Sequence, residues 1–217
     1  MRKIQFINEE FYHIYNCGVE KRQIFQDRDD YLKFLRNLRE LNNESYYEER
    51  KAIVDSSFKE LSSFLDEAEK AVEIIAYSLV PNHFHLILKQ LKEGEISNFM
   101  HKISTSFTNF INKKYNRIGS LFQGPYKAIH IDNNDYLLWL SGYVNGNIEI
   151  HRVTKAEFYE WSSFQNYLSG KKNNILGDTS IVLSQFKDIQ EYKDFVKKVI
   201  DESKTKKEME KYYLEGA

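Results

Sequence analysis

The chain has 217 residues, of which 41% are hydrophobic, and it carries 31 basic and 32 acidic side chains for a net charge of −1. This composition excludes a disordered chain, and it excludes a basic field over the whole protein of the kind that binds duplex DNA non-specifically. No segment has the length of a membrane span or the pattern of a secretory signal, so we expect a cytoplasmic protein without membrane contact.

The hydrophobic pattern predicts strands and helices in a mixed order. In chain order the predictions are a strand over 11–17, a helix over 27–41, a hairpin over 72–88 with its turn at 81–82 and a helix over 95–115. A strand over 121–131, broken at Gly124 and Pro125 and restricted by the proline to an edge or a bulge, and a helix from about 135 follow. Because strands and helices do not alternate regularly, this order predicts an α+β fold, a ferredoxin-like antiparallel sheet with helices packed on one face.

The chain divides into two predicted parts. We expect residues 1–154 to form one domain, and residues 155–217 to form a C-terminal helical appendage whose end, from Lys204, is a charged tail. Residues 42–70 are charged and repeat hydrophobic side chains at helical spacing, which predicts a helical arm inserted in the first domain.

Two histidines, His83 and His85, flank the single hydrophobic residue Phe84 in the second strand of the hairpin. Residues two apart on a strand point to the same face, so the two imidazoles are expected side by side. Such a pair makes half of a metal site. The alternative is that both are ordinary histidines on the solvated face of a strand, and the triplet alone does not decide between them.

On the last helix of the first domain, Tyr143 and Asn147 are four residues apart and so share one face. Gly142 and Gly146 lie beside them; they lower helix propensity but remove side-chain bulk, which would let a ligand backbone come close. The alternative is that Tyr143 is a core aromatic residue and that Gly146 and Asn147 end the helix in the left-handed conformation.

Four motifs, in this order, resemble those of the REP-associated tyrosine transposases, which belong to the single-tyrosine branch of the HUH endonucleases. The resemblance covers residues 9 to 170, and several motifs in register are more specific than any one of them. The motifs are Val80-Pro-Asn-His-Phe-His-Leu-Ile-Leu88, Leu121-Phe-Gln-Gly-Pro-Tyr-Lys127, Gly142-Tyr-Val-Asn-Gly-Asn147 and Trp161-Ser-Ser163.

The resemblance implies that His83 and His85 are the metal-binding pair, that Asn147 supplies a third, amide-oxygen ligand, and that Tyr143 is the nucleophile. Two imidazoles and an oxygen would hold Mg²⁺ or Mn²⁺, with nitrogen ligands favouring Mn²⁺. The implied activity is cleavage and strand transfer of single-stranded DNA beside a hairpin through a 5′-phosphotyrosine, by a monomer or a homodimer. Tyr115 and Tyr136 are rival nucleophiles if the helix register differs.

Several residues are candidate DNA contacts. The candidates for phosphate are Lys113, Lys114, Arg117 and Lys127, and Tyr126 is a candidate for base stacking, together with Tyr115 or Phe122. For each of them singly, a surface charge or a core aromatic residue is an equal alternative.

The chain departs from the family pattern at two places. Pro125 stands where the family usually has an arginine, and Ile148-Glu-Ile-His151 stands where a proline and a basic residue usually follow the asparagine. Two other functions therefore stay open: a domesticated hairpin-DNA-binding protein that no longer cleaves, and a metal-dependent phosphodiesterase that uses water.

Overall fold

A computed structural model of the protein describes residues 4–43, 70–170 and 174–215, with side chains as far as residue 208. The predicted helical arm at 42–70 lies outside the described residues except at its two ends. Those ends meet, because the Asn42 amide donates to the Val72 carbonyl and accepts from the Val72 N–H, both at 2.9 Å. The two ends of the described chain, Asn43 and Lys70, also form a bridge.

Four strands form an antiparallel sheet at the centre of the described structure: β1 (Phe11–Cys17), β2 (Val72–Val80), β3 (His83–Gln90) and β4 (Lys127–Ile131). Their order in the sheet is β2-β3-β1-β4. The hairpin predicted over 72–88 is confirmed, with its turn at residues 81 and 82. The strand predicted over 121–131 is wrong in its first half, because β4 begins only after Gly124 and Pro125, and a proline cannot donate to the ladder.

Two helices cover one face of this sheet, as predicted. Helix α1 (Arg28–Glu40) begins at a capping box between Asp27 and Asp30, and helix α2 (Glu95–Lys114) packs beside it. The rings of Phe34 from α1 and Phe107 from α2 are perpendicular at 5.0 Å, and Phe34 lies 5.1 Å from Phe84 of β3. The residue between the two histidines therefore points into this core.

A third helix, α3 (Asn134–Ile150), packs on the opposite face of the sheet, in addition to the two helices on the predicted face. The physical reason is the composition of β2 and β3, which are buried along nearly their whole length and so must be covered on both faces. The side chain of Asn133 caps the helix by accepting from the Tyr136 N–H at 2.8 Å. Since α3 continues to Ile150, Gly146 and Asn147 do not end it.

The C-terminal part consists of the short helices α4 (Phe164–Ser169) and α5 (Ser180–Leu183) and the long helix α6 (Ile189–Glu215). The charged tail predicted from Lys204 is therefore the continuation of α6 as far as the structure describes it. Within the described residues, no helix combines the length and the hydrophobicity needed to cross a bilayer.

The glycines of α3 face α6. A Cβ at Gly142 would lie 3.1 Å from the Cγ2 of Val199, and a Cβ at Gly146 would lie 2.5 Å from the Cγ1 of Ile200. The expectation that these glycines make room for a ligand is therefore wrong: they allow two helices to approach closely. The packing fixes the position of α6 relative to the helix that carries Tyr143.

Gly146→Ala is expected to destabilise the fold by about 1–3 kcal/mol, because the added methyl group would overlap Ile200 in a packed interface. Gly142→Ala is the matched control. Its methyl group would meet atoms at 3.1 Å and beyond, and alanine gains about 1 kcal/mol in helix propensity over glycine, so we expect a much smaller effect. Urea unfolding of both variants measures the difference; equal stabilities would contradict the proposed helix contact.

Candidate active site

The four residues of the predicted catalytic set lie together. His83 and His85 project from β3 on the face that α3 covers, and Tyr143 and Asn147 project from α3 toward them. The Nε2 of His83 lies 3.0 Å from the Oδ1 of Asn147, and the ring centroids of His85 and Tyr143 are 5.7 Å apart. The structure therefore brings into one place residues that are about sixty positions apart in the chain.

The contacts of His83 suit a bound cation. Its Nδ1 lies 2.7 Å from the Oδ1 of Asn82, an acceptor, so the neutral ring carries its proton on Nδ1. Its Nε2 is then an acceptor that faces a second acceptor, the Oδ1 of Asn147, at 3.0 Å. Two ligands at right angles around an ion with bonds of about 2.1 Å have this separation. The opposite orientation of the Asn147 amide would instead make an ordinary hydrogen bond.

His85 is oriented by a third histidine. Its Nδ1 lies 2.8 Å from the Nε2 of His13 on β1, and the two rings are 7% and 6% exposed. Burial holds the pKa of His85 well below its usual value, and burial likewise lowers the pKa of His83, against the opposing effect of its contact with Asn147. Both imidazoles are therefore neutral at pH 7, which is the form that binds metal ions.

Sequence reasoning missed His13. The available signal was its position in β1, two residues from Tyr15, but only the register of β1 with β3, in which Tyr15 pairs with His85, shows that the two histidines share a face. A partner that holds the second nitrogen of a ligand histidine is a common feature of metal sites, and its loss typically weakens metal binding 10–100-fold.

The His13 side chain makes stability depend on pH. Burial lowers its pKa from 6.5 to about 4, whereas the unfolded state has the ordinary value. The contribution of neutral His13 is therefore complete above pH 6.5 and is lost as the pH falls toward 4. From this residue we expect roughly 1.5 kcal/mol less stability in chelator-treated protein at about pH 5 than at about pH 6.5.

Urea unfolding at a series of pH values measures this dependence. His13→Gln should remove that component, whereas the same change at His101, an exposed histidine of α2, should leave the pH profile as it is. A profile that is identical in His13→Gln and in the unaltered protein would contradict the assignment.

Tyr143 is half-buried between the sheet and its own helix. Its ring stacks on Trp139 at 5.3 Å and meets the His85 ring edge to face. Burial raises the pKa of the phenol, and the nearby Asn147 side chain acts in the opposite direction. The phenol is therefore protonated at pH 7 and must lose its proton if it is to act as a nucleophile.

A cavity of about 550 Å³ lies where β1, β3, α3 and α6 meet. Tyr136, a rival nucleophile, also lines it, whereas Tyr115 lies elsewhere and bonds to Asp30 at 2.8 Å. The lining residues are His13, Tyr15, His85, Ile129, Tyr136, Trp139, Leu140, Tyr143, Glu202, Ser203, Lys206 and Lys207.

Three of the predicted DNA contacts are not brought to this cavity. Lys114 ends α2 and is held by Asp27 and the buried Asp30, with contacts of 2.6 and 2.8 Å, so it serves the capping network of α1. Lys113 precedes it on α2, and Arg117 follows and lines a separate surface pocket.

The other two predicted contacts differ from each other. Tyr126 is 9% exposed and packs in the core, which leaves little ring surface for a base. Lys127 is exposed on β4, and its Nζ lies 5.8 Å above the ring of Tyr15, which lines the cavity. Of the five candidates, Lys127 alone lies beside a residue that lines this cavity.

The described residues contain no group of three or more histidine, cysteine, aspartate or glutamate side chains placed to hold a metal ion. A metal centre at His83 and His85 would therefore depend on the amide oxygen of Asn147 as its third ligand. An ion with six ligands that is held by these three side chains would keep its other positions open for further oxygens.

A solved structure of a REP-associated tyrosine transposase bound to a REP hairpin is similar, with a TM-score of 0.56 and 16% identity over 82% of this chain and 92% of that chain. A putative transposase from Deinococcus radiodurans R1 matches with a TM-score of 0.38 and 14% identity over 71% and 99% of the two chains. No curated protein matches. The model of the IS200-like transposase family matches residues 8–147, and the chain belongs to this family.

Proposed function

We propose that this transposase cleaves and rejoins single-stranded DNA beside a hairpin, with Tyr143 as the nucleophile and a divalent metal ion held by His83, His85 and Asn147. One observation carries the proposal: Tyr143 lies against His85 while Asn147, one turn later on the same helix, reaches His83 at 3.0 Å. The helix therefore presents the nucleophile and the third ligand together. The similarity to a transposase bound to a REP hairpin supports a hairpin substrate.

The metal ion is Mg²⁺ or Mn²⁺, and two nitrogen ligands favour Mn²⁺. When bound, it supplies Lewis-acid polarisation of the scissile phosphate and offsets the charge that develops there. His13 orients His85 through its hydrogen bond, and Asn82 orients His83 in the same way. The protein thus fixes both ligand rings before DNA arrives.

Cleavage is one displacement at phosphorus. The Tyr143 oxygen forms a bond to phosphorus, the bond from phosphorus to the 3′ oxygen breaks, and the proton lost by the phenol is balanced by the proton that the 3′ oxygen gains. The products are a 5′-phosphotyrosine and a free 3′-hydroxyl. A 3′-hydroxyl of another strand can attack the phosphotyrosine and reverse the step, so rejoining needs no ATP.

The proposal is tested with a pool of oligonucleotides that share a hairpin stem and have randomised single-stranded flanks, incubated with the protein and Mn²⁺. A 3′ label should remain with the protein on a denaturing gel, because the phosphotyrosine retains the 5′ end of the 3′ fragment, and a 5′ label should leave with the released strand. Sequencing of the trapped DNA gives the cleavage position.

The two alternatives predict other outcomes. Pro125 is exposed where the family usually has an arginine and Tyr126 is buried, and both facts favour a module that binds a hairpin without cleaving it. Such a module would retain the pool without cutting it. A phosphodiesterase that uses water would release both labels without any adduct. Either result would overturn the proposed function.

A further inference from the structure

The C-terminal helix α6 reaches the catalytic cavity, although it lies beyond the residues that the family model matches. Ser203, Lys206 and Lys207 line the cavity together with Tyr143 and His85. Among the lining residues, which all belong to the described part of the chain, Glu202 is the single acid. The lysine side chains of α6 therefore face the catalytic residues across the cavity.

Lys207 is held in contact with the histidine cluster. Its Nζ lies 3.1 Å from the Nε2 of His151, so the ammonium donates to that ring nitrogen, and the ring of His151 lies 4.6 Å from the ring of His83. A chain of direct contacts thus connects Lys207 on α6 to the proposed metal ligand on β3. Lys206, its neighbour, is exposed, whereas Lys207 is partly buried.

We infer that Lys207 binds a phosphate of the single-stranded DNA within the catalytic cavity, at or next to the cleaved position. This inference rests on the proposed function, which places DNA there. His13 and His85 are buried and His83 is half-buried, and none of the three has a carboxylate partner among its described contacts. The lysines of α6 therefore add positive charge at the cavity for a DNA strand that enters it. An ammonium ion is a point-charge donor well suited to phosphate oxygens.

The position of Lys207 is fixed by packing on α3 as well as by His151. Gly142 and Gly146 allow α6 to lie directly on the helix that carries Tyr143, so the cation and the nucleophile belong to one rigid helix pair. A charge that is already in place when the reaction begins costs no reorganisation, which is the condition under which such contacts accelerate a reaction most.

The test compares Lys207→Met with Lys197→Met, which removes the same charge from an exposed site on α6 at a separate cavity. For Lys207→Met we expect a 10- to 100-fold slower single-turnover cleavage and partial recovery in Lys207→Arg. For Lys197→Met we expect the unaltered rate. Thermal unfolding of each variant shows that the fold is retained.

A second measurement locates the contact. Substrates in which one phosphate at a time is replaced by an uncharged methylphosphonate are tested with both proteins. At the phosphate that Lys207 binds, the replacement should slow the unaltered protein but not Lys207→Met, because the contact is already lost. The inference is wrong if the methylphosphonate replacement slows Lys207→Met as much as it slows the unaltered protein at every position. It is also wrong if Lys207→Met cleaves at the unaltered rate.

The salt dependence of DNA binding tests this inference independently of the proposed function. With Tyr143→Phe as the background, the slope of log K against log salt for single-stranded DNA should fall by about 0.7 on adding Lys207→Met, as for the loss of one phosphate contact. That result would stand even if no covalent adduct ever formed. An adduct with an unchanged slope and an unchanged rate would leave the proposed function intact and remove Lys207 from the site.

Discussion

Tyr143→Phe is expected to abolish the covalent adduct, with a loss of cleavage of at least about 10⁴-fold, because in the proposed reaction the phenolic oxygen is the atom that bonds to phosphorus. The substitution removes a single oxygen and keeps the ring that stacks on Trp139 at 5.3 Å. Folding and DNA binding should therefore persist. Denaturing gels of the 3′-labelled substrate measure the adduct, and filter binding measures affinity.

Tyr136→Phe is the matched control, since Tyr136 lines the same cavity two turns earlier on the same helix. It should form the adduct at close to the unaltered rate. If Tyr136→Phe loses the adduct and Tyr143→Phe retains it, the nucleophile is Tyr136, and the assignment of Tyr143 is wrong. Peptide mapping of the trapped protein gives the same answer independently, because the attached nucleotide marks one tyrosine.

The second large effect is expected at the paired histidines. His83→Gln and His85→Gln should each lower the cleavage rate by at least about 10³-fold at a fixed Mn²⁺ concentration, since Lewis-acid stabilisation is worth several kcal/mol. Calorimetric titration should show weaker Mn²⁺ binding in both variants, and a chelator should stop cleavage by the unaltered protein. His101→Gln on the distant helix α2 is the control and should alter neither measurement.

Substitutions at Asn147 distinguish a metal ligand from a structural hydrogen-bond partner of His83. As a ligand, it should tolerate Asn147→Asp, which keeps an oxygen donor and adds negative charge, and Mn²⁺ binding should be retained or strengthened. Asn147→Leu should remove binding. If Asn147 is instead a structural hydrogen-bond donor to His83, Asn147→Asp should weaken Mn²⁺ binding, because a carboxylate has no N–H to donate. Unaltered Mn²⁺ affinity in Asn147→Leu would contradict its role as third ligand.

Much of the local architecture follows from sequence periodicity. The alternation around Phe84 predicted a strand with both histidines on one face, and the four-residue spacing of Tyr143 and Asn147 predicted a shared helix face; both are present. Patterns of this kind are local, so they can be recognised without knowing which elements touch. Local rules fail for α3, which continues through Gly146, and for α6, which replaces the charged tail. Both helices are stabilised by packing on each other.

The sequence by itself determined the strand with its paired imidazoles and the helix with its tyrosine and amide. It also determined that these motifs follow one another in the order seen in a known family. Only the tertiary structure decided which side chains complete the site and which do not. His13 reaches His85 through strand pairing, Lys207 reaches His151 through helix packing, and Lys114 is held by Asp30. These contacts join residues more than fifty positions apart, and their partners are selected by burial and register across the whole fold rather than by the spacing of neighbours.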